Sequence, residues 1–182
     1  MAGGGGDMAK LNCLPFLVRA AAIFGIFAAV SGCVATGTPR VMTTAFDPQA
    51  ASFIHQEGRA RISGQAFIRR NNGELLRAVG TDVALIPRTA YADERIAALY
   101  GDRNQLRWGA QVPETDPRYT QYMRKTVASS GGSFSFDHVA DGAYYVVAMI
   151  HLPSEVLFQQ VPILERVTVE GGESVRLVMR GY

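Results

Sequence analysis

The sequence predicts an all-β fold, an antiparallel Greek-key β-sandwich of about seven strands with one short helix inserted. Three observations lead to this prediction. Short segments alternate apolar and polar residues, Gly, Pro, Asn and Asp separate these segments, and very little of the chain after residue 58 has a helical composition. With 182 residues and 48% hydrophobic side chains, the chain is large enough to bury one core.

The first half of the domain shows the pattern most clearly. Residues 59–69 alternate small or apolar side chains with polar ones, and Asn71-Asn72-Gly73 then supplies a tight turn. A second strand is expected over 81–87, and it ends at Pro87 because proline cannot donate a ladder hydrogen bond. Residues 91–100 have a helix-forming composition, and Gly101 is placed to cap that helix.

The second half begins with a polar, proline-containing connection over 103–117, in which Trp108 is expected to close one end of the core. Strands then follow at short intervals, and AYYVVAMIHL is the most apolar of them. Their expected ranges are 119–128, 133–136, 143–152, 157–169 and 174–179. Gly171-Gly172 is expected to form a hairpin turn between the last two strands.

Two stretches of the domain carry a family pattern. The first is GQAFIRRNNGELLRAVGTDVALIPRTAYADE, and the second is VASSGGSFSFDHVADGAYYVVAMI. Together they resemble the carboxypeptidase regulatory-like, or prealbumin-like, β-sandwich domains of bacterial surface proteins, over residues 60–180. The resemblance implies a prealbumin/transthyretin-like fold and specifies no reaction.

An export signal precedes the domain. Lys10 and Arg19 lie before the uncharged, mostly apolar residues 20–30, a segment too short to cross the roughly 30 Å hydrocarbon core of a bilayer as a helix. The tetrad Val30-Ser31-Gly32-Cys33 follows and resembles the bacterial lipobox. This resemblance implies cleavage before Cys33 and attachment of acyl chains, palmitate among them, to that cysteine.

These features divide the chain into three segments. We assign residues 1–32 to a lipoprotein signal peptide that contains a signal helix, residues 33–58 to a lipidated N-terminus and flexible tether, and residues 59–182 to the β-sandwich domain. The latter part of the tether has the composition to dock on the domain. Translation can begin at Met1 or at Met8. In a host with two membranes, the absence of Asp after the cysteine favours an outer-membrane anchor facing the periplasm.

Several functional classes are excluded by composition. Cys13 and Cys33 both lie in or beside the leading apolar segment, so the domain contains neither a disulfide framework nor a cysteine-ligated metal. His55, His138 and His151 lack metal-ligand spacing, so we expect no metal and no cofactor. Removing Lys10, Arg19 and Asp7 from the totals of 18 basic and 16 acidic residues leaves 16 and 15, without a basic run, which argues against nucleic acid as a partner.

The sequence therefore predicts a non-catalytic binding or scaffolding module, held on the membrane by its N-terminal lipid, with an envelope protein or polysaccharide as partner. The candidate binding residues are Trp108, Tyr119, Tyr122 and Phe158. The alternatives are a carbohydrate-binding module, and an exported hydrolase or accessory enzyme subunit that uses Asp137 and His138. Arg69, Arg70 and Arg77 near the first hairpin are interpreted as a solvated surface rather than an anion site.

Overall fold

Two stacked four-stranded sheets account for most of the computed structural model, which describes residues 41–107, 109–153 and 160–181. Sheet A contains β1 (Ala60–Arg69), β2 (Leu75–Arg77), β5 (Ser133–Val139) and β8 (Ser174–Gly181). Sheet B contains β3 (Asp82–Pro87), β4 (Arg124–Val127), β6 (Gly142–His151) and β7 (Gln160–Val169). The predicted all-β sandwich is confirmed, and the described residues hold eight strands because the short β2 was not anticipated.

Strand β1 is the centre of sheet A. Strand β8 runs parallel to it from Arg61↔Ser174 to Ile68↔Gly181, whereas β5 and β2 pair antiparallel with its other edge. Strand β7 pairs with β6 in sheet B, so the predicted hairpin between the last two strands is wrong. Gly171 and Gly172 do form a turn, with φ values of 63° and 75°, but this turn carries the chain from one sheet to the other.

The first core lies between the two sheets. Alternate residues of each strand point inward, because successive side chains of a strand face opposite sides. The side chains in this core include Ile62, Leu85, Phe134, Phe136, Tyr144, Val146, Ile150, Ile163 and Met179. Tyr144 is fully buried and donates a hydrogen bond to the Ala140 carbonyl at 2.7 Å, and burial raises its pKa to about 12.

A second core lies on the outer face of sheet B. The helix α2 (Ala90–Tyr100) packs on this face and confirms the predicted helix. The Thr89 hydroxyl caps its N-terminus by accepting a hydrogen bond from the Ala92 N–H at 3.2 Å. Gly101 ends the helix with a φ of 60°. The main residues that the helix and the sheet contribute to this core are Tyr91, Ile96, Leu99 and Tyr100 from α2, and Ile86, Tyr145 and Leu164 from sheet B.

Residues 41–58, which belong to the range predicted as a tether, lie against the domain. The helix α1 (Pro48–Ala51) and the 3-10 helix Ser52–His55 follow a segment whose Phe46 ring is buried in the second core. Glu94 of α2 accepts the N–H groups of Thr43 and Thr44 at 2.8 and 2.7 Å, and also the Thr43 hydroxyl at 2.8 Å. The limits of the three predicted segments stay a prediction, and the signal helix lies outside the described residues.

The strand predicted over 119–128 is wrong in its first half. Tyr119–Tyr122 form a 3-10 helix, which begins where the Tyr119 N–H donates to the Asp116 carbonyl at 3.0 Å, and the strand starts only at Arg124. Tyr119 turns into the second core instead of alternating along a strand. Within the described ranges, no helix combines the length and apolar character needed to cross a membrane.

Candidate ligand-binding face

The outer faces of the two sheets differ in what covers them. Helix α2 and the segment around Phe46 cover an apolar part of the outer face of sheet B, whereas the outward positions of sheet A are largely exposed to solvent. We define the open face as the outward side chains of sheet A. They are Arg61, Ser63, Gln65, Phe67 and Arg69 on β1, Leu75 and Arg77 on β2, Ser133, Ser135 and Asp137 on β5, and Ser174, Arg176, Val178 and Arg180 on β8.

Strand register arranges these side chains in rows across the sheet. One row is Ser135, Ser63 and Arg176, the next is Ser133, Gln65 and Val178, and the third is Arg77, Phe67 and Arg180. Neighbouring strands lie about 4.8 Å apart, so the backbones carrying Arg77 and Arg180 flank that of Phe67 at this spacing. The half-buried Phe67 ring is therefore an aromatic surface with an arginine on either side.

The open face carries an excess of positive charge. It has five arginines, which are Arg61, Arg69, Arg77, Arg176 and Arg180. Among the strand positions of this face that the structure describes, the one acidic residue is Asp137. Arg61 pairs with the Asp137 carboxylate at 3.2 Å. The other four form no ion pair with any carboxylate of the described residues, so their guanidinium groups are available to an anion.

A shallow groove of about 510 Å³ crosses the open face at its β5 edge. Arg61, Ser63 and Arg176 line one side of it, and Ser133 and Ser135 of β5 contribute hydroxyl groups. Thr126 and Ser129 extend the lining toward the edge of sheet B. The groove thus offers hydroxyl groups, which donate and accept hydrogen bonds, together with guanidinium groups, which only donate.

The predicted binding aromatics lie away from this face or outside the described residues. Tyr119 is 3% exposed and packs against Phe46 and Tyr91, with ring centroids 5.7 and 5.0 Å apart. Tyr122 is half-buried between Phe46 and His55. Trp108, Phe158 and Cys33 fall outside the described residues, and the binding role predicted for the four aromatic residues stays a prediction.

Asp137 and His138 hold the edges of the two sheets together. The Asp137 carboxylate bonds to Arg61 and accepts the Ser135 hydroxyl at 3.2 Å. The Arg124 guanidinium, from the edge of sheet B, donates to the main-chain carbonyls of Asp137 and His138 at 2.5 and 3.1 Å. His138 has a φ of 55°, which a non-glycine residue seldom adopts. In an acid-base pair the Asp137 carboxylate would have to orient the His138 imidazole, but this carboxylate is already bound to the Arg61 guanidinium.

No hydrogen bond or ring contact joins the other two histidines to this pair within the described residues. His55 packs on Tyr122, and His151 lies beside Gln160, with 3.4 Å between the His151 Nδ1 and the Gln160 Nε2. In the described part of the chain, no three His, Cys, Asp or Glu side chains are grouped closely enough to hold a metal ion.

Sequence analysis grouped only some residues of the open face, and it interpreted them as a solvated surface rather than as a binding site. Arg69 and Arg77 belong to it, but Arg70 lies in the β1–β2 turn and pairs with Glu74 at 2.9 Å. Arg176 and Arg180 were missed because the parallel pairing of β8 with β1 brings them there. The signal that could have found them is the period-2 series Ser174, Arg176, Val178 and Arg180, which indicates one solvent-facing side of a strand.

No protein-family model matches the chain, and no curated protein matches its sequence. Among solved structures, the chain is similar to the crystal structure of a candidate carbohydrate-binding protein from Pseudomonas aeruginosa. The two share 23% sequence identity and a TM-score of 0.62, over 76% of this chain and 99% of that one. At this level of identity the similarity establishes a common β-sandwich fold, and the resemblance to prealbumin-like domains in particular stays a prediction.

Proposed function

We propose that this protein is a bacterial lipoprotein, acylated at Cys33, whose β-sandwich is a non-catalytic module that binds a glycan on the open face of sheet A. The observation that carries the proposal is the row Arg77, Phe67 and Arg180 on an uncovered, hydroxyl-lined sheet. The similar fold of the candidate carbohydrate-binding protein from Pseudomonas aeruginosa supports it.

The chemistry of the open face suits a glycan. Sugars present many hydroxyl groups, and the serines, Gln65 and the arginines of the open face supply donors and acceptors for them. The C–H face of a sugar ring is weakly positive and packs on the negative face of an aromatic ring such as that of Phe67. Because β1 is paired along both edges, it holds these groups in fixed positions before the ligand arrives.

A binding role accounts for this surface better than catalysis does. The hydrolase alternative needs Asp137 to orient the His138 imidazole, but the Asp137 carboxylate bonds to Arg61 and Ser135. The groove beside them is shallow and offers no pair of carboxylates flanking a bond to be cleaved.

The proposed anchor limits how far the module extends from the membrane. Thr43 is bound to Glu94, so only the ten peptide units between Cys33 and Thr43 are left as a connection. Fully extended, these span at most about 35 Å. A module held this close to the outer membrane, on its periplasmic side, is suited to bind envelope polysaccharide.

Binding is tested with the full chain in a nonionic detergent, by affinity electrophoresis in gels that contain bacterial envelope polysaccharides. We expect retardation by at least one polysaccharide, and we expect Phe67→Ala to weaken it about tenfold because the stacking surface is lost. Val112→Ala, at a 62% exposed apolar residue outside the open face, is the control. Unchanged binding by Phe67→Ala would place the site elsewhere, and cleavage of the glycan would favour the hydrolase.

The anchor is tested by comparing Cys33→Ala with Cys13→Ala. We expect membrane fractions to retain the wild-type chain and the Cys13 variant in a processed, acylated form that mass spectrometry identifies. The Cys33 variant should lose both processing at that site and the acyl mass. A Cys33 variant that is processed and retained like the wild type would disprove acylation.

A further inference from the structure

We propose that the open face selects an acidic polysaccharide, with Arg77 and Arg180 binding carboxylate groups on either side of a sugar ring that packs on Phe67. This inference rests on the proposed glycan-binding function and adds the charge class of the ligand.

The first support is the uncompensated charge of the open face. Four of its five arginines lack a carboxylate partner within the described residues, and the one carboxylate of the open face, that of Asp137, is already bound to Arg61. Neutral sugars would leave this charge uncompensated. A ligand with regularly spaced carboxylates would compensate it, and each guanidinium can bind a carboxylate through two parallel hydrogen bonds.

The second support is the spacing of the charges. Arg77 and Arg180 lie two strands apart, so their backbones are separated by about 10 Å. Arg176 lies four residues before Arg180 on β8, or about 13 Å along the strand. These charges are distributed across the sheet and along β8 instead of converging on one point. Such an arrangement fits a chain with repeating charges better than a single small anion.

The third support is the small apolar content of the open face. Val178 and Leu75, 50% and 41% exposed, are its aliphatic residues, and they lie in different rows. The centre of a stable protein interface is usually more apolar than this face and contains several aromatic anchors that become fully buried. A protein surface that binds stably to an anionic membrane usually adds several large apolar side chains, which insert between lipids, to the attraction of its basic residues. The open face has one aromatic ring surrounded by arginines and hydroxyl groups, which favours an acidic polysaccharide.

The test compares polygalacturonate with its methyl-esterified form, which has the same sugar backbone without the charge. Binding of the full chain in nonionic detergent is measured by affinity electrophoresis and by titration calorimetry. We expect the acidic polymer to bind about tenfold tighter than the ester. The double variant Arg77→Gln/Arg180→Gln should bind the acidic polymer about ten- to hundredfold more weakly, because two exposed charge-assisted contacts are lost.

The control is Arg103→Gln/Arg107→Gln, which removes the same charge from the connection after α2. We expect it to bind within about twofold of the wild type, because neither side chain belongs to the open face or lines its groove. The melting temperatures of both double variants should match that of the wild type, which separates lost contacts from lost folding.

Other outcomes overturn the inference in distinguishable ways. Equal binding of the acidic and esterified polymers, or binding of neutral glycans alone, would disprove charge selection and leave the glycan-binding function standing. Absence of binding to every glycan would overturn both proposals. Displacement of polygalacturonate by polyglutamate at equal charge concentration would show a non-specific anion surface and disprove sugar recognition.

Discussion

The two sheets both alternate inward and outward side chains, but their outer faces differ: one is partly covered by a helix, and the other is open to solvent. On sheet B, outward residues such as Ile86, Tyr145 and Leu164 are apolar or aromatic, and helix α2 covers them, whereas outward Asp82, Lys125 and Arg166 are exposed. On sheet A the outward residues are mostly arginine, serine and glutamine, and they remain exposed. The comparison indicates that sheet B contributes stability through both of its faces, whereas the outer face of sheet A is available for binding.

The same leucine substitution on each face should produce the largest difference. Leu164, 1% exposed on β7, packs in the second core, and Leu75, 41% exposed on β2, lies on the open face. We expect Leu164→Ala to lower the free energy of unfolding by about 2–4 kcal/mol, because it leaves a cavity beneath α2. Leu75→Ala should lower it by about 0.5 kcal/mol or less. Urea unfolding followed by circular dichroism measures both, and equal losses would contradict the comparison.

Removing the cap of the covering helix should have a smaller effect. The Thr89 hydroxyl accepts the Ala92 N–H at the start of α2, and Thr89 is 8% exposed. We expect Thr89→Ala to cost about 1 kcal/mol, because the N–H loses its partner near the second core. Thr89→Ser keeps the hydroxyl and should restore most of the loss in the same urea titration. A serine variant as unstable as the alanine variant would indicate that the methyl group, rather than the cap, matters.

The hydrogen bonds that attach residues 43 and 44 to Glu94 of α2 should make the stability of the fold decrease at acidic pH. Hydrogen bonds from Thr44 and Thr43 lower the pKa of Glu94 from its usual 4.5 to about 2. A carboxyl with a lowered folded-state pKa stabilises the fold above its unfolded pKa, and this contribution is lost as the pH falls from about 4.5 to about 2.

The comparison of wild type with Glu94→Gln isolates this contribution from the other acidic groups. We expect the wild type to have the higher melting temperature at pH 7, and the difference to shrink as the pH falls through this range. A difference that is the same at pH 7 and at pH 2.5 would show that the Glu94 charge is not what holds Thr43 and Thr44.

Local sequence signals were sufficient for most of the strands and for α2. The alternation from Ala60 to Arg69 indicates one buried face, whereas the apolar run AYYVVAMI in β6 contains residues that are buried on both faces. Tyr119–Tyr122 was mispredicted because tyrosine and threonine favour strands locally, while the contact of Tyr119 with Phe46 is made across the fold.

The open face could be predicted only in part, because it depends on pairing between distant segments. Arg69 and Arg77 lie near one hairpin and were identified together from the sequence. Arg176 and Arg180 join them only through the parallel pairing of β8 with β1, more than 100 residues apart. The glycines before β8 predict a turn, but they do not determine which sheet the next strand joins.

The smallest effect on stability is expected at the ion pair of the open face. Arg61 and Asp137 are 3.2 Å apart, but their side chains are 56% and 55% exposed, so solvent and salt screen their attraction. We expect Arg61→Gln to change the free energy of unfolding by about 0.5 kcal/mol or less. The same variant removes a guanidinium from the groove, so it should weaken polygalacturonate binding about threefold. A variant that loses stability but keeps full binding would reverse the assignment, because Arg61 would then support the sheet rather than the ligand.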